Sequence, residues 1–95
     1  MKLRLVWTRV AVQDLTAMRD WLGRHNPQAA QEQARLILAA AQRLTQFPGQ
    51  GTPGRVPDTR ELVIARTPYV LPYTVHHDQL VVLAVLHQRQ VWPRA

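Results

Sequence analysis

Apolar positions along the chain change period twice. Leu3-Arg4-Leu5-Val6-Trp7 alternates, with Leu3 and Leu5 on one face, and reads as a short first strand. Thr8 has the character of an N-cap, and Ala11, Leu15, Met18 and Leu22 then recur at the 4-3-4 spacing of one buried stripe, which predicts a helix from Arg9 to about Leu22 or Gly23. Asp14, Arg19 and Asp20 fall off that stripe. Gly23-Arg24-His25-Asn26-Pro27 stops this helix and starts the next, with glycine as C-cap, Asn26 as N-cap and Pro27 in the first turn. The second helix is expected to reach about Phe47, with Ala30, Ala34, Ile37, Ala41 and Leu44 on one face and Leu36, Ala40 and Phe47 widening it. Its alanines allow a close approach, so the pair forms a helical hairpin.

Pro48 to Asp58 is too rich in glycine and proline for a regular element and reads as a linker, either a plain crossover or a functional loop. After it the period falls to that of strands: Thr59–Ile64, Tyr69–Val75 and Leu80–His87. His77-Asp78-Gln79 makes a tight turn, so the last two runs form an antiparallel hairpin. Pro72 cannot donate to a ladder, which implies a bulge or a missing neighbour at that point. The order β-α-α-β-β-β defines an α+β fold, a helical hairpin packed on one face of a mostly antiparallel four-stranded sheet. The last run is apolar on both alternating faces, a pattern that requires cover on both sides of its sheet. The helices supply one side. The tail after His87, with Val91 and Trp92, a second copy of the chain, or a partner must supply the other.

At 95 residues the chain is one domain, 1–95, and its apolar share of 46% is ordinary for a globular protein. With no cysteine and no signal-peptide pattern it is expected in the cytoplasm, and no run is long enough to span a bilayer. The net charge of +6 comes from eleven arginines and Lys2 against six acids. Arginine binds phosphate and carboxylate through a planar fork, so this bias suits nucleic acid or an acidic protein; it is equally the mark of a GC-rich genome. The histidines His25, His76, His77 and His87 lack zinc-ligand spacing, and no P-loop, dinucleotide fingerprint or nucleophile elbow is present, so neither a metal nor a cofactor is expected.

Trp7, Asp14-Leu15, Asn26-Pro27-Gln28-Ala29-Ala30, Thr59-Arg60-Glu61-Leu62 after a Gly-Pro loop, Tyr69-Val70-Leu71-Pro72-Tyr73, and Val85-Leu86-His87-Gln88-Arg89-Gln90-Val91-Trp92-Pro93 follow one another in an order that resembles the RelE/ParE superfamily of bacterial type II toxins. The resemblance covers essentially the whole chain. It implies a small basic toxin held in a hetero-oligomer with a cognate antitoxin, an acidic protein partly disordered when free, whose carboxy-terminal segment folds on the toxin. Arg55, Arg60, Arg66, Tyr73, His87, Arg89 and Trp92 are the residues expected to meet the antitoxin or the target.

Two targets follow from the resemblance. ParE-like members trap DNA gyrase on cleaved DNA and need only a binding surface. RelE-like members cut messenger RNA on the ribosome without metal, and need a base or orienting group, cationic stabilisation of the phosphate, and an acid. For that chemistry the candidates are Arg60, His87 as acid or base, and Arg89 as phosphate clamp, with Arg66 at the other end of the strand from Arg60. Structural roles compete with each: Arg60 could pair with adjacent Glu61, and His87 could bond backbone at a strand end. The sequence also departs from the nuclease pattern. Val70 stands where many nucleases carry arginine, Lys2 is the only lysine, Arg55 is the one cation of the loop before Thr59, and no carboxy-terminal tyrosine is present, although Trp92 could stack on a base. The gyrase reading is therefore preferred, with the ribonuclease as alternative.

Overall fold

The computed structural model describes residues 2–94. Strand β1 (Arg4–Trp7) leads into helix α1 (Arg9–His25), and helix α2 (Pro27–Leu44) follows at once. Thr8 caps α1 by accepting the Ala11 N–H at 3.1 Å. Asn26 ends one helix and begins the next: its N–H donates to Leu22 O and its side chain accepts from the Ala29 N–H. The polar side chain of Asn26, rather than Gly23, marks the break, so α1 runs two residues beyond the expected end.

A single 3-10 turn (Pro48–Gln50) closes the helical half, and strands β2 (Thr52–Pro53), β3 (Arg60–Val63), β4 (Tyr69–His76), β5 (Gln79–Val82) and β6 (Leu86–His87) follow. The sheet runs in the order β1-β5-β4-β3-β2, with β6 added to β4 beyond the end of β5. Every pair is antiparallel except β1–β5, which is parallel because the helical hairpin carries the chain back over the sheet. The expected four strands become six for two reasons. Thr52-Pro53, inside the stretch expected as a linker, pairs with Glu61 and Arg60 as a short edge. The last apolar run is broken: Val82 lies opposite Tyr73 and Leu86 opposite Val70, so one extra residue sits between them, a β-bulge at Leu83–Val85.

That bulge explains much of the two-faced hydrophobicity. Leu80 and Val82 face the helices with Leu62, Leu71 and Tyr73, and the extra residue then reverses the parity so that Val85 again joins the core. Ala11, Ile37, Ala40, Ala41 and Leu44 meet them from the helical side, all at most 1% exposed. The buried α2 stripe is the expected one; Phe47, beyond the helix end, is 62% exposed rather than buried. On the opposite face Val70, Pro72 and Leu86 are buried as well. The loop before β3 lies on that face, where Thr74 Oγ1 donates to Asp58 O at 2.9 Å, and it meets the tail where the Arg55 guanidinium reaches Gln90 O at 3.4 Å. The chain's own loop and tail supply the second cover at this end of the sheet.

Candidate functional site

The residues expected to act gather at two ends of β4. At one end Arg60 faces Tyr73 across the β3–β4 ladder, on the helix side of the sheet. Tyr73 is fully buried, so its place is in the core and not on a binding surface. Its hydroxyl donates to Pro48 O at 2.6 Å and accepts the Gly51 N–H at 3.0 Å, which pins the turn after α2 to the sheet. Burial raises the phenol pKa, and the Gly51 N–H and the charge of Arg60 offset part of that rise. Residue 51 must be glycine, since a Cβ there would meet the Tyr73 hydroxyl at 2.6 Å and the Glu61 carbonyl at 2.9 Å. Arg60 donates to Gly51 O at 2.8 Å, and the rest of its guanidinium borders an open cavity of about 300 Å³ shared with Pro53, Thr59 and Val75.

The ion pair expected between Arg60 and Glu61 does not form. Successive strand residues point to opposite faces, so Glu61 looks away from the helices while Arg60 looks toward them. Arg55 takes Glu61 instead: its N–H donates to Oε2 at 2.8 Å and its Nη2 to Oε1 at 3.0 Å. These hydrogen bonds hold the Glu61 carboxyl below its ordinary pKa of 4.5 against the opposing effect of burial. Arg55 is thereby largely spent on structure.

At the other end, the β3–β4 turn and the residues after β6 meet. The Gln88 N–H donates to Pro68 O at 2.8 Å, and His87 stands opposite Tyr69 with the rings edge to face at 5.9 Å. Arg66 sits in the turn, exposed and in the left-handed region (φ 67), an uncommon conformation for a residue with a side chain. His87 Nδ1 accepts the Arg89 N–H at 3.2 Å, so the neutral ring carries its proton on Nε2, and its own N–H donates to Gln90 Oε1 at 2.7 Å. Backbone bonding at a strand end, the structural alternative for His87, is therefore present. Arg89 is exposed, and Trp92 is half-buried with its indole N–H enclosed and without an acceptor among the described residues.

His87 and Tyr69 line a groove of about 260 Å³ between α1 and the tail, with Met18, Trp21 and Gln90 on its other walls. Asp14 closes it. This carboxylate accepts the Val85 N–H at 3.0 Å and the Arg94 guanidinium at 2.9 Å, joining α1, the bulge and the tail. Thr8 acts beside it, donating its hydroxyl to Leu83 O at 3.1 Å. The bulge frees backbone groups from the ladder, and α1 satisfies them. Sequence reasoning placed Asp14 off the helical stripe and gave it no role beyond its part in the family resemblance; its partners lie 71 and 80 residues away, beyond the reach of any local pattern.

Arg66, His87 and Arg89 thus share one end of the sheet, and Arg60 lies at the other. Tyr69 and Tyr73, opposite His87 and Arg60, are four residues apart on β4, about 13 Å along the strand, and β6 and β3 flank β4 on opposite sides. Arg60 is not placed to act on the same bond as His87 and Arg89.

The sequence profile of a family described as the ParE toxin of the type II toxin–antitoxin system parDE matches residues 5–92. Among curated proteins the chain is similar to Y4kP of Sinorhizobium fredii, 36% identical over 91 residues that span 96% of this chain and 94% of that protein. It is also 37% identical over 84 residues to toxin RelE2 of Caulobacter vibrioides, spanning 88% of this chain and 93% of the relative. Among solved structures, a chain of the chromosomal ParDE system of P. aeruginosa superposes with a TM-score of 0.83 at 29% identity, covering 90% of this chain and 96% of that one. A chain of the RelBE2 toxin–antitoxin complex of Mycobacterium tuberculosis shares the fold at a TM-score of 0.63 and 24% identity, over 92% and 99% of the two chains.

Proposed function

The chain belongs to the ParE toxin family of type II toxin–antitoxin systems, and from that premise we propose that it arrests growth by binding DNA gyrase and is neutralised by a cognate antitoxin. The observation that carries the gyrase reading is the separation of the charged candidates. Arg60 is engaged with Gly51 O at one end of the sheet, while His87 and Arg89 stand at the other. Cleavage of RNA needs a base or orienting group, a cation and an acid around one phosphate, and the candidates Arg60, His87 and Arg89 do not gather there as a set. Poisoning by binding needs only a surface, and exposed arginine suits one. The kinship with the P. aeruginosa ParDE toxin–antitoxin system supports an antitoxin as partner.

The test is supercoiling by purified gyrase with this protein added in increasing amounts. Inhibition with accumulation of cleaved DNA is expected; intact supercoiling at saturating protein overturns the reading. The ribonuclease reading keeps one specific support, the grouping of Arg66, His87 and Arg89 at a common end, together with the similarity to the Caulobacter toxin RelE2. Ribosome-dependent cuts in messenger RNA after brief induction, lost in the double variant His87→Ala/Arg89→Ala, would establish it in place of gyrase.

A further inference from the structure

β4 outruns its neighbour on one side. β3 pairs with it as far as Arg60 opposite Tyr73, while β4 continues to His76. The Ile64 N–H donates to Tyr69 O at 3.0 Å and the Leu83 N–H to Pro72 O at 2.9 Å. Odd-numbered residues of β4 therefore turn their backbone groups toward β3, and even-numbered ones toward β5. Val75 is odd, and no strand lies beside it on that side among the described residues. The chain entering β3 leaves that line. The Thr59 N–H and hydroxyl both donate to Val56 O, at 3.3 and 2.7 Å, and Asp58 adopts the left-handed region (φ 64). The loop is thereby turned onto the other face of the sheet, where Asp58 O accepts from Thr74 Oγ1. Among the described residues nothing bonds the N–H or C=O of Val75.

The cavity of about 300 Å³ lies at this spot, with Val75, Tyr73 and Pro53 along it and Arg60 where β3 begins. Its size is at the small end for ligand sites. Arg60 has no carboxylate partner: the three ion pairs among the described residues belong to Arg35, Arg55 and Arg94. One nitrogen of its fork is fixed by Gly51 O, and the others are uncommitted among the described residues. A free strand edge is matched by an extended peptide backbone, and a guanidinium fork by a carboxylate. Direction joins the two. A segment laid beside Val75 and running as β3 does, antiparallel to β4, points its carboxy end at Arg60, about 7 Å further along the line. β3 occupies the line beyond, so the segment must end there. Asp58 also borders the cavity, which sets it against a polyanion. A nucleic acid would meet Arg60 but brings many charges to Asp58 and has no amide backbone for Val75; a terminal carboxylate brings one charge.

We infer that this cavity captures the carboxy-terminal end of an extended peptide, its backbone paired with Val75 and its α-carboxylate held by Arg60. The site stands apart from Arg66, His87 and Arg89 and is independent of the gyrase reading. The full chain is titrated with acetyl-Ala-Val-Val ending in a free carboxylate and with the same peptide ending in an amide, while backbone hydrogen exchange is followed residue by residue. The Val75 amide should exchange freely alone and slow by about tenfold or more at saturating acid peptide. The amide form should bind at least about tenfold more weakly, since it lacks the charge-assisted bonds. Arg60→Gln, which can still donate to Gly51 O, should weaken the acid form by a similar factor and leave the amide form unchanged. A general loosening of the loop would weaken both. The comparison of acid with amide uses the unaltered chain, so it decides the matter even where that variant does not fold. Equal binding of the two peptides, binding without protection of Val75, or no binding at millimolar peptide each overturns the inference. Displacement of the acid peptide by inorganic phosphate at equal concentration reduces the cavity to an anion site and overturns it as well.

Discussion

Two carboxylates in this protein have nearly the same surroundings and different consequences. Glu61 and Asp14 each accept one backbone N–H and one guanidinium, and their side chains are 14% and 17% exposed. Both partners of Glu61 belong to Arg55, six residues away, so the bond stiffens one loop. The partners of Asp14 come from the bulge and the tail, 71 and 80 residues on, so the bond ties the first helix to the end of the chain. The same chemistry is local in one place and closes the topology in the other. Asp14→Ala should have the largest effect, since it strands the part-buried Val85 N–H and releases Arg94 together. The expected cost is about 3 kcal/mol, or roughly 12–20 °C in Tm for a domain of this size. A loss below about 1 kcal/mol in urea unfolding would mean that water serves Val85 equally well.

The opposite end of the sheet should be less sensitive, because its anchors are divided between Tyr73 and Glu61. Tyr73→Phe leaves the buried Gly51 N–H without its acceptor and frees Pro48 O, for an expected loss of about 1.5 kcal/mol. Gyrase inhibition per folded molecule should not change, which separates a core role from a contact with the target. If inhibition falls with stability intact, the tyrosine reaches the partner after all. Glu61→Gln should cost about 1 kcal/mol at neutral pH, and this difference carries a pH signature. The folded carboxyl titrates below its ordinary value of 4.5, so its stabilisation is present above that value and is lost as pH falls through the depressed folded pKa. Wild type and Glu61→Gln should therefore converge in stability on acidification, read from urea midpoints between about pH 7 and pH 3. Parallel curves would show that the charge of Glu61 contributes nothing.

The same contrast between local and distant bonding explains what was legible in the sequence. The helices, Asn26 as the N-cap of the second, the β4–β5 turn at His77-Asp78 and the α2 core stripe are local patterns, and all are present; that Asn26 rather than Gly23 also ends the first helix was not read. β2 was hidden because two residues have no period, and Thr52-Pro53 become a strand only by lying beside Glu61 and Arg60. The bulge was hidden because an unbroken apolar run gives no sign of register; Pro72 was its one hint, and it lies opposite Glu61, with the Leu83 N–H on its carbonyl. The pairing of Glu61 with Arg55 was within reach, since parity alone separates Arg60 from Glu61. The clamp at Asp14 was not. Composition gave the charge but not its division between a spent Arg55, an anchored Arg60 and the exposed Arg66 and Arg89.

Arg94→Ala should be the mildest of these changes, and it tells which half of the Asp14 bond holds the ends together. The Arg94 side chain is 38% exposed, and an ion pair at that depth is screened by salt and costs side-chain entropy to form. Its loss is expected to cost about 0.5 kcal/mol, fading further as salt is raised. Asp14 would keep the Val85 N–H, so the bulge should stay in place and only the tail should loosen. If Arg94→Ala instead matches Asp14→Ala in unfolding free energy, the guanidinium is the working partner and the bulge N–H is incidental. In that case the difference between the two carboxylates would rest on the tail alone, since Glu61 also has its arginine but secures no chain end.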